Sequence, residues 1–433
     1  MGWNKSLSYD IIQKEWEVDD MKIVKLNSAQ FDKFASTHRF RNYFQTSMYA
    51  NVMIKYGYRA QFLGITNDQN KLIGATLIIY KEMFMGNKIA YAPRGFLFNY
   101  ENLNDVENLV EKIKKTLGKQ GFMLLRMDPY VPLTIRDKEG NIMNINSSGK
   151  IIVENLKKAG FQYKGETLYF ETEKPRWESL ILFQKTTTEM FEELDKKTKS
   201  RLRRANSIGM TVEKDEEQNI DKLYEFIKDK EKRPLSYYKT ICEKFGENAE
   251  VYYATISTKT FLINSKKNYT EELEYNNFLS KRIESMNLSN EDRLDCLNSK
   301  MESDKLIAAY KNSLETATNL LRDNPKGIRV AGALVIKYDN AAYVITEGET
   351  EKYSYLNPSQ LLKWQLILDY NGQGLKYINF DGIAGNFEKN NKYKALNESK
   401  LEFNSIVAEY VGEFDLVLNS LALNLFKKMN KDK

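Results

Sequence analysis

The chain has 433 residues, of which 42% are hydrophobic and 29% charged, and its formal net charge is +6. This length predicts at least two domains, and so mild a basic balance argues against a constitutive nucleic-acid binder. Because His38 is the only histidine, multi-histidine metal sites are excluded and any Ser-His-Asp or Cys-His triad would depend on that one residue. Cys242 and Cys296 have neither metal nor redox spacing, which favours a reducing compartment.

The N-terminal region does not have the pattern of a secretory signal peptide, although Gly2 and Ser6 fit the Met-Gly-x-x-x-Ser pattern of N-myristoylation. Residues 1–20 contain no apolar core typical of a signal peptide, and no apolar run in the chain approaches the roughly 18–20 residues that span a bilayer. The stretch beginning MKIVKLNSAQ at Met21 is typical of a domain start. We therefore predict an N-terminal extension over residues 1–20.

Two distant segments have the same predicted layout. Lys71–Gly95 and Gly327–Glu349 each consist of an apolar strand, a polar turn and a second apolar strand, which predicts a hairpin. Each hairpin is followed by helix-forming sequence and then by another strand, FMLLRMDP or LKYINFDGI. A repeated strand–strand–helix–strand unit predicts a duplicated α/β domain.

A basic stretch lies between the two repeats. Six of the nine residues in Lys196–Arg204 are basic. The sequence predicts one amphipathic helix that starts at a capping box of Thr186 and Glu189 and stops at Gly209. Its inward face would hold Phe191, Leu194, Thr198, Leu202 and Ala205. The cationic face is either a solvated surface or a phosphate-binding site, and sequence-specific DNA binding is poorly supported.

The segment 257–326 has a different composition, rich in Asn, Lys and Glu. It predicts two long antiparallel helices, with Ser289 capping the second. The expected seam contains Leu273, Ile283, Leu294, Leu297 and Met301, weakened by polar Asn276, Ser280 and Asn312. Residues 259–326 include eleven basic and eleven acidic residues, so we predict a solvated helical arm.

Several motifs occur in the order typical of one family. They are NYFQTSMYANVMIKYGY (Asn42–Tyr58), AYAPRGFLFNY (Ala90–Tyr100), LLRMDPYVP (Leu124–Pro132), the basic stretch, RPLSYYKTICEKF (Arg233–Phe245) and the C-terminal run from INFDGIAGNF to EYVGEFDLVLN. Together they resemble the Fem-type aminoacyltransferases that build peptidoglycan interpeptide bridges. The C-terminal run is the most specific of these signals.

The resemblance implies a fold and a division into domains. The expected fold class is α/β, with two N-acetyltransferase-like domains and an antiparallel coiled-coil arm inserted in the second. The first domain would comprise residues 21–165, completed by 404–433. The second would comprise 166–256 and 327–403, with the arm at 257–326.

The resemblance also implies an activity and its partners. An amino acid would move from aminoacyl-tRNA to the stem-peptide amine of lipid II or UDP-MurNAc-pentapeptide, without metal, acyl-CoA or other cofactor. Such an enzyme would be cytoplasmic and would contact the inner face of the plasma membrane, with no role for DNA. Three alternatives stay open: an inactive tRNA- or lipid-binding homologue, an aminoacyl-tRNA–protein transferase, and an acyl-CoA acetyltransferase.

Two residues match the family's positions near the reaction centre. An attacking amine with a pKa near 10.4 must lose a proton, and the tetrahedral oxyanion must be stabilised. Asp128 matches an aspartate that could orient or deprotonate the amine, although transfer assisted by the substrate itself is an equal alternative. Lys400 matches a lysine that could meet the oxyanion or a phosphate. In this chain Ser399 and Glu402 replace the family's Phe and Gly around that lysine.

The remaining candidates concern binding. Arg233 matches an arginine that contacts the precursor pyrophosphate, and Tyr237 matches a substrate-contacting tyrosine one helical turn later. Arg94 and Tyr343 are weaker substrate-binding candidates at matching strand ends. The basic residue of the family's entry helix has no clear counterpart here, and Lys55 is the candidate to replace it. For the tRNA phosphates, the basic stretch supplies Lys199, Arg203 and Arg204.

Overall fold

A computed structural model describes residues 21–83, 86–285 and 289–431. The strands, in chain order, are β1 (Lys22–Lys25), β2 (Arg59–Thr66), β3 (Leu72–Glu82), β4 (Lys88–Ala92), β5 (Phe122–Met127), β6 (Pro132–Arg136), β7 (Ile142–Ile145), β8 (Gln162–Tyr163), β9 (Trp177–Leu182), β10 (Met210–Lys214), β11 (Ala249–Ile256), β12 (Ile328–Tyr338), β13 (Ala341–Glu349), β14 (Tyr377–Ile383), β15 (Ile406–Tyr410) and β16 (Phe414–Val417).

The α-helices are α1 (Ser28–Ala35), α2 (Ser47–Lys55), α3 (Leu103–Lys119), α4 (Ser147–Lys158), α5 (Thr187–Glu192), α6 (Lys196–Ser207), α7 (Asp221–Ile227), α8 (Leu235–Phe245), α9 (Thr258–Ile283), α10 (Asn290–Asp323), α11 (Pro358–Gly372), α12 (Lys394–Leu401) and α13 (Ser420–Lys431). Short 3-10 helices cover Gly246–Asn248 and Glu351–Leu356. Among the described residues, no helix is both long enough and apolar enough to cross a bilayer.

The chain divides into two compact units. The first contains the described parts of Met1–Thr134, Ile145–Arg176 and Tyr410–Lys433, and the second contains Ile135–Asn144 and Trp177–Glu409. The sequence placed the second domain at 166 and the return to the first at 404, whereas the units change at 177 and 410. The segment 135–144, expected in the first domain, belongs to the second unit.

The first unit is built on a seven-stranded sheet of order β1-β2-β3-β4-β5-β16-β8. Helix α3 places Val106, Leu109, Val110, Ile113 and Leu117 on its buried face, at the spacing expected of an amphipathic helix. The last strand, β16, lies between β5 and β8 and pairs antiparallel with both. Its Phe414 and Leu416 are fully buried, so the end of the chain completes the core of the first unit.

The second unit contains a nine-stranded sheet of order β10-β11-β12-β13-β14-β9-β15-β6-β7. Strands β13 and β14 are parallel, but they pair only over Ala341–Tyr343 and Tyr377–Asn379. Beyond these residues the two strands diverge, and β14 carries an irregularity between Asn379 and Gly382. The sheet therefore has an opening between β13 and β14, which we call the strand opening.

Both predicted repeats are confirmed as structural elements. Strands β3 and β4 form an antiparallel hairpin, as do β12 and β13, and each hairpin is followed by a helix and a parallel strand. The alternation of apolar residues and the polar turns were sufficient to predict both. The expected α/β class with a helical arm is likewise confirmed.

The arm consists of α9 and α10, and Ser289 caps α10 by accepting a hydrogen bond from the Asp292 backbone N–H, as predicted. The predicted seam was wrong on α10, because Leu294, Leu297 and Met301 are 58%, 43% and 61% exposed. Small side chains are buried there instead: Cys296, Ser303 and Ala317. The amide of Asn276 donates to Ser303 Oγ at 3.1 Å. Small and hydrogen-bonded residues let the two helices approach closely. A prediction based on the size of apolar side chains does not identify such contacts.

The basic stretch forms two helices, α5 and α6, and not the single helix predicted. The capping box of Thr186 and Glu189 is present as expected. However, Asp195 accepts the backbone N–H of Thr198 at 2.8 Å and its hydroxyl at 2.9 Å, and so begins a second helix. An aspartate that caps a helix competes with continuation of the preceding one. The predicted inward residues are confirmed as buried, except Phe191, which is partly buried against the core.

We expect the single histidine to make the stability of the first unit depend on pH. His38 Nδ1 accepts a hydrogen bond from the Phe40 backbone N–H at 3.1 Å. Burial, followed by the charges of Arg39 and Arg41, lowers the pKa of His38 from 6.5 to about 4. A histidine with a lower pKa when folded is protonated more readily when unfolded. Its contribution is therefore complete above pH 6.5 and is lost as the pH falls towards 4. At pH 5 we expect a loss of about 2 kcal/mol in the free energy of unfolding.

Urea unfolding at pH 7 and pH 5 measures this loss, with His38→Asn as the matched variant. The amide oxygen of Asn can accept the same backbone hydrogen bond, but it does not titrate in this range. The wild type should lose about 2 kcal/mol more than the variant between the two pH values. An equal loss in both proteins would mean that the imidazole is not the cause.

Candidate active site

The strand opening of the second unit is crossed by a chain of polar contacts. On the β13 side, Glu347 Oε1 lies 3.0 Å from Lys363 Nζ, a lysine of α11. Lys363 Nζ also donates to the carbonyl oxygen of Ser399 at 2.9 Å and to its Oγ at 2.7 Å. The next residue, Lys400, donates through Nζ to the Gly382 carbonyl of β14 at 2.9 Å. Helix α12 is therefore attached to both strands that border the opening.

Lys400 is held by its backbone as well as its side chain. Its carbonyl oxygen accepts hydrogen bonds from Ser179 Oγ at 2.8 Å and from Ser405 Oγ at 3.0 Å. An ammonium carries three N–H donors, and the described structure assigns one of them to Gly382. The partly exposed side chain thus keeps donors for an incoming group while its position is fixed.

Ser399 and Glu402, the two residues near Lys400 that differ from the family pattern, each have a hydrogen-bond partner in this chain. Ser399 receives the ammonium of Lys363, whose side chain is 2% exposed. Glu402 accepts a hydrogen bond from Arg201 Nη1 at 2.7 Å and lies 3.3 Å from Thr198 Oγ1. Because Arg201 and Thr198 belong to α6, the carboxylate at 402 ties the basic helix to the end of α12.

A pocket of about 560 Å³ lies beside this junction. Its charged lining is Lys138, Glu139, Asp195, Lys197, Arg201, Glu388, Lys389, Lys394, Glu398 and Glu402. Cations and anions are equal in number, so the pocket has no strong bias for a polyanion. Asn397 shapes one wall, because its side chain exchanges two hydrogen bonds with the backbone of Ala384.

The predicted phosphate-binding residues of α6 differ in their surroundings. Lys199 Nζ donates to the Glu192 carbonyl at 2.7 Å and lies 3.3 Å from the Glu192 carboxylate, and its side chain is 17% exposed. Arg203 and Arg204 are exposed. Two of the three predicted cations therefore face solvent. The ammonium of the third, Lys199, is partly engaged with Glu192 at the C-terminal end of α5.

The predicted pyrophosphate-binding pair lies at the start of α8. The Arg233 guanidinium carbon is 4.1 Å from the centre of the Tyr237 ring, and Tyr237 itself is 7% exposed. The guanidinium lies over the ring, a cation–π contact that restricts the orientation of its planar fork. Tyr343, another predicted substrate-binding residue, is 6% exposed at the base of the strand opening. Its hydroxyl lies 3.0 Å from the Tyr377 hydroxyl.

In the first unit, Asp128 and Arg94 are buried together, each 2% exposed. Asp128 Oδ1 accepts from the Arg94 backbone N–H at 2.8 Å and from the Tyr91 hydroxyl at 3.0 Å. Arg94 adopts a left-handed conformation (φ 54°), and its Nη2 donates to the Pro175 carbonyl. Burial raises the pKa of Asp128, and the Arg94 guanidinium opposes that rise. Within this unit the carboxylate holds the turn at Arg94, so a direct contact with an amine requires these bonds to open.

Lys55 lies exposed at the end of α2. Residue-by-residue reasoning missed Lys363, Glu347 and Tyr91. A signal existed for Lys363, since it is a lone charge inside the apolar helical run LLKWQLIL. No local pattern marks Glu347 or Tyr91, because their roles arise only when distant elements meet.

Comparison with known proteins gives a consistent result over nearly the whole chain. The model of the FemAB family matches residues 26–431. Aminoacyltransferase FemA of Staphylococcus epidermidis is 23% identical over 95% of this chain and 99% of its own length. Lipid II:glycine glycyltransferase of Staphylococcus haemolyticus is 23% identical over 94% of this chain and 96% of its own length.

Among solved structures, the crystal structure of FemX superimposes with a TM-score of 0.71 and 19% sequence identity. The match covers 93% of this chain and 99% of that one. At this identity the likeness establishes the fold. It extends over both units and the arm, because no large part of either chain is left out.

Proposed function

The chain belongs to the FemAB family, and from this membership we propose that it is an aminoacyltransferase that extends the stem peptide of a peptidoglycan precursor. The donor would be an aminoacyl-tRNA and the acceptor lipid II, approached at the inner face of the plasma membrane. The observation that carries the proposal is the extent of the family match, residues 26–431, which includes both units and the arm. Relatives of nearly equal length bear the names aminoacyltransferase and lipid II:glycine glycyltransferase.

The reaction exchanges an ester for an amide. The nitrogen of the stem-peptide amine forms a bond to the ester carbonyl carbon, and the bond from that carbon to the ribose oxygen of tRNA breaks. The amine loses a proton, and the ribose oxygen takes one up and leaves as a hydroxyl. The tetrahedral intermediate carries a negative oxygen, which a fixed ammonium stabilises. Lys400 is suited to this role, because its backbone is anchored and its ammonium retains donors. With His38 engaged in the first unit, the proton leaves to a carboxylate, to the substrate or to water.

The acceptor site would lie around Arg233 and Tyr237. The guanidinium, held over the tyrosine ring at 4.1 Å, can present two parallel N–H groups to a pyrophosphate. The donor would meet α6, whose exposed arginines bind phosphates without reading bases. Asp128 would act as a positioning residue for the turn at Arg94, and Lys55 would be a minor contact.

We expect Arg233→Ala to weaken binding of lipid II by about 2 kcal/mol, or roughly thirtyfold, because a charge-assisted pair of hydrogen bonds is lost. Arg233→Lys should retain only part of this affinity, since an ammonium cannot form the planar fork of a guanidinium. Titration of the soluble nucleotide-linked precursor by calorimetry measures the same contact. Lys232→Ala, an exposed cation one residue earlier, is the matched control. Normal affinity in Arg233→Ala would remove Arg233 from the phosphate site.

For tRNA, we expect the double variant Arg203→Gln/Arg204→Gln to bind charged tRNAs of matched and unmatched identity equally poorly. The slope of log affinity against log salt should flatten by about two units, one counterion for each exposed arginine. Lys199→Gln should add less than one unit, because its ammonium already serves Glu192. Lys114→Gln/Lys115→Gln on α3 removes the same exposed charge elsewhere and is the control. An unchanged slope in the arginine variant would indicate that α6 is only a solvated surface.

A matrix of charged tRNAs against lipid II and UDP-MurNAc-pentapeptide, with products read by mass spectrometry, tests the function as a whole. A mass increase of one amino-acid residue on either precursor supports the proposal and identifies the amino acid. Precursor and tRNA binding without any product would favour an inactive homologue. Transfer to a peptide N-terminus, but to neither precursor, would favour an aminoacyl-tRNA–protein transferase.

A further inference from the structure

The last described helix, α13, has one face attached to the first unit and one face on which no described residue packs. Leu423 is 6% exposed and packs with Met123 and Leu124 of β5, and Phe426 is partly buried in the same cluster. The Asn419 side chain begins the helix by accepting the Ala422 backbone N–H at 3.0 Å. The helix is therefore attached to the first unit by one face, and its opposite face is turned outward.

The outer face carries a line of apolar side chains. Leu421, Leu425 and Met429 are 83%, 52% and 44% exposed. Residues spaced by four lie next to each other on a helix, so the three form one continuous stripe. Single exposed apolar residues are ordinary on protein surfaces, but an aligned stripe on an anchored helix is typical of an interaction surface.

All charged residues of α13 are positively charged. Residues 420–431 include three lysines and no acidic residue. Lys427 and Lys428 are exposed. Nearby, Lys88 donates to the Gln120 carbonyl, next to the start of β5 that lies under α13. Glu82, the acidic residue in register with Lys88, is paired with Arg59 Nη1 at 2.7 Å.

We propose that the outer face of α13 docks the protein on an anionic lipid surface. At 12 residues the helix is about 18 Å long, too short to span a bilayer and suited to lie in its interface. The leucines and the methionine would enter the boundary between headgroups and acyl chains. Lys428, one turn from Leu425, would face anionic headgroups, while Lys427 on the far side of the helix adds to the local positive charge. This inference deepens the proposed function, because an enzyme whose acceptor is embedded in a membrane gains from a fixed approach to it.

A second copy of the chain fits this face less well than an anionic membrane does. A symmetric contact places the same surface on both sides, so the lysines of one copy would meet those of the other. Three partly exposed side chains also bury far less than the roughly 1,000 Å² of a stable interface. The positive rim and narrow stripe fit an anionic bilayer, which supplies both opposite charge and an apolar layer.

Co-sedimentation of the full chain with vesicles tests the proposal. Vesicles of phosphatidylcholine alone are compared with vesicles containing phosphatidylglycerol. The wild type should partition into the anionic vesicles, and Leu421→Gln/Leu425→Gln should lower the partition coefficient about tenfold. Lys427→Gln/Lys428→Gln should lower it by about fivefold or more, the contribution of the one lysine that borders the stripe, and only on anionic vesicles.

The matched control is Ile263→Gln/Leu306→Gln, two exposed apolar residues of the arm. This variant should partition as the wild type does. Equal partitioning of all variants, a fall in the control as large as in the α13 variants, or a change of solution mass in the leucine variant would each overturn the proposal. The substituted leucines are exposed, so the fold is not at risk.

Activity assays separate this inference from the function on which it rests. The α13 variants should transfer at the wild-type rate to the soluble nucleotide-linked precursor and more slowly to lipid II in vesicles. If the wild type transfers to neither precursor while its partitioning depends on α13, the proposed function fails and the docking surface remains. If transfer to vesicle-bound lipid II is unaffected by the leucine and lysine variants, the docking surface fails alone.

Discussion

Lys400→Met is expected to lower the rate of aminoacyl transfer by about a hundredfold or more, the usual cost of losing one donor to an oxyanion. Methionine keeps the length and apolar stem of lysine but offers no N–H. The bonds from Ser179 and Ser405 to the backbone carbonyl are unaffected by the change, so α12 should stay in place. Single-turnover measurements with saturating donor and acceptor report the chemical step directly.

The control for this experiment is Lys389→Met, an exposed cation that lines the neighbouring pocket. It removes the same charge near the site and should reduce the rate by less than threefold, the small effect expected of an exposed charge. Affinity for the precursor should be nearly the same in both variants. If Lys400→Met is slow only because it no longer binds the precursor or tRNA, Lys400 is a phosphate contact and not part of the catalytic step.

Lys363→Met is expected to destabilise the second unit by about 3 kcal/mol. The Lys363 side chain is 2% exposed, and among the described residues its ammonium contacts Glu347 and Ser399. Removing one member of a buried ion pair leaves the other charge without compensation, which typically costs about 3–5 kcal/mol. We expect the lower end, because the Glu347 side chain remains 22% exposed and can be partly hydrated. Urea unfolding followed by tryptophan fluorescence measures the loss.

The double variant Glu347→Gln/Lys363→Met separates the charge from the packing. Because it removes both charges, it should recover about half of the lost stability. Transfer activity should stay low in both variants, since Ser399 loses its tether beside Lys400. A single variant as stable as the wild type would show that the pair contributes nothing. A double variant no more stable than the single one would attribute the loss to packing alone.

Most of the architecture followed from local patterns. The hairpins of β3–β4 and β12–β13 are marked by apolar runs around polar turns, and the arm by composition and by Ser289. These signals are local, and each depends on a few neighbouring residues. The break between α5 and α6 was also local, but Asp195 looked like one more helical residue in a charged run. Its capping role depends on a backbone geometry that helical periodicity does not encode.

The site was predicted less completely, because its central contacts join distant parts of the chain. Lys400 was proposed from a family motif, whereas Lys363 and Glu347 contact each other only where α11, β13 and α12 meet. The seam of the arm failed for a related reason. Leu294 and Met301 are the larger apolar residues, yet the helices pack through Cys296 and Ser303 because small residues permit close approach. Asp128 was placed correctly at a strand end, but its burial with Arg94 depends on the whole first unit.

The position of β16 has a consequence for the synthesis of this protein. Arg126 and Asp415 form a hydrogen-bonded pair across β5 and β16, although they are 289 residues apart in the chain. The first unit is thus completed only after the strands of the second unit have been made, since β5 and β8 wait for a strand that follows all of them in the chain. During that interval two strand edges lack their partner, which is a hazard for association with other nascent chains. A message that terminates shortly before Phe414 would supply every strand of the second unit and leave the first unit unfinished.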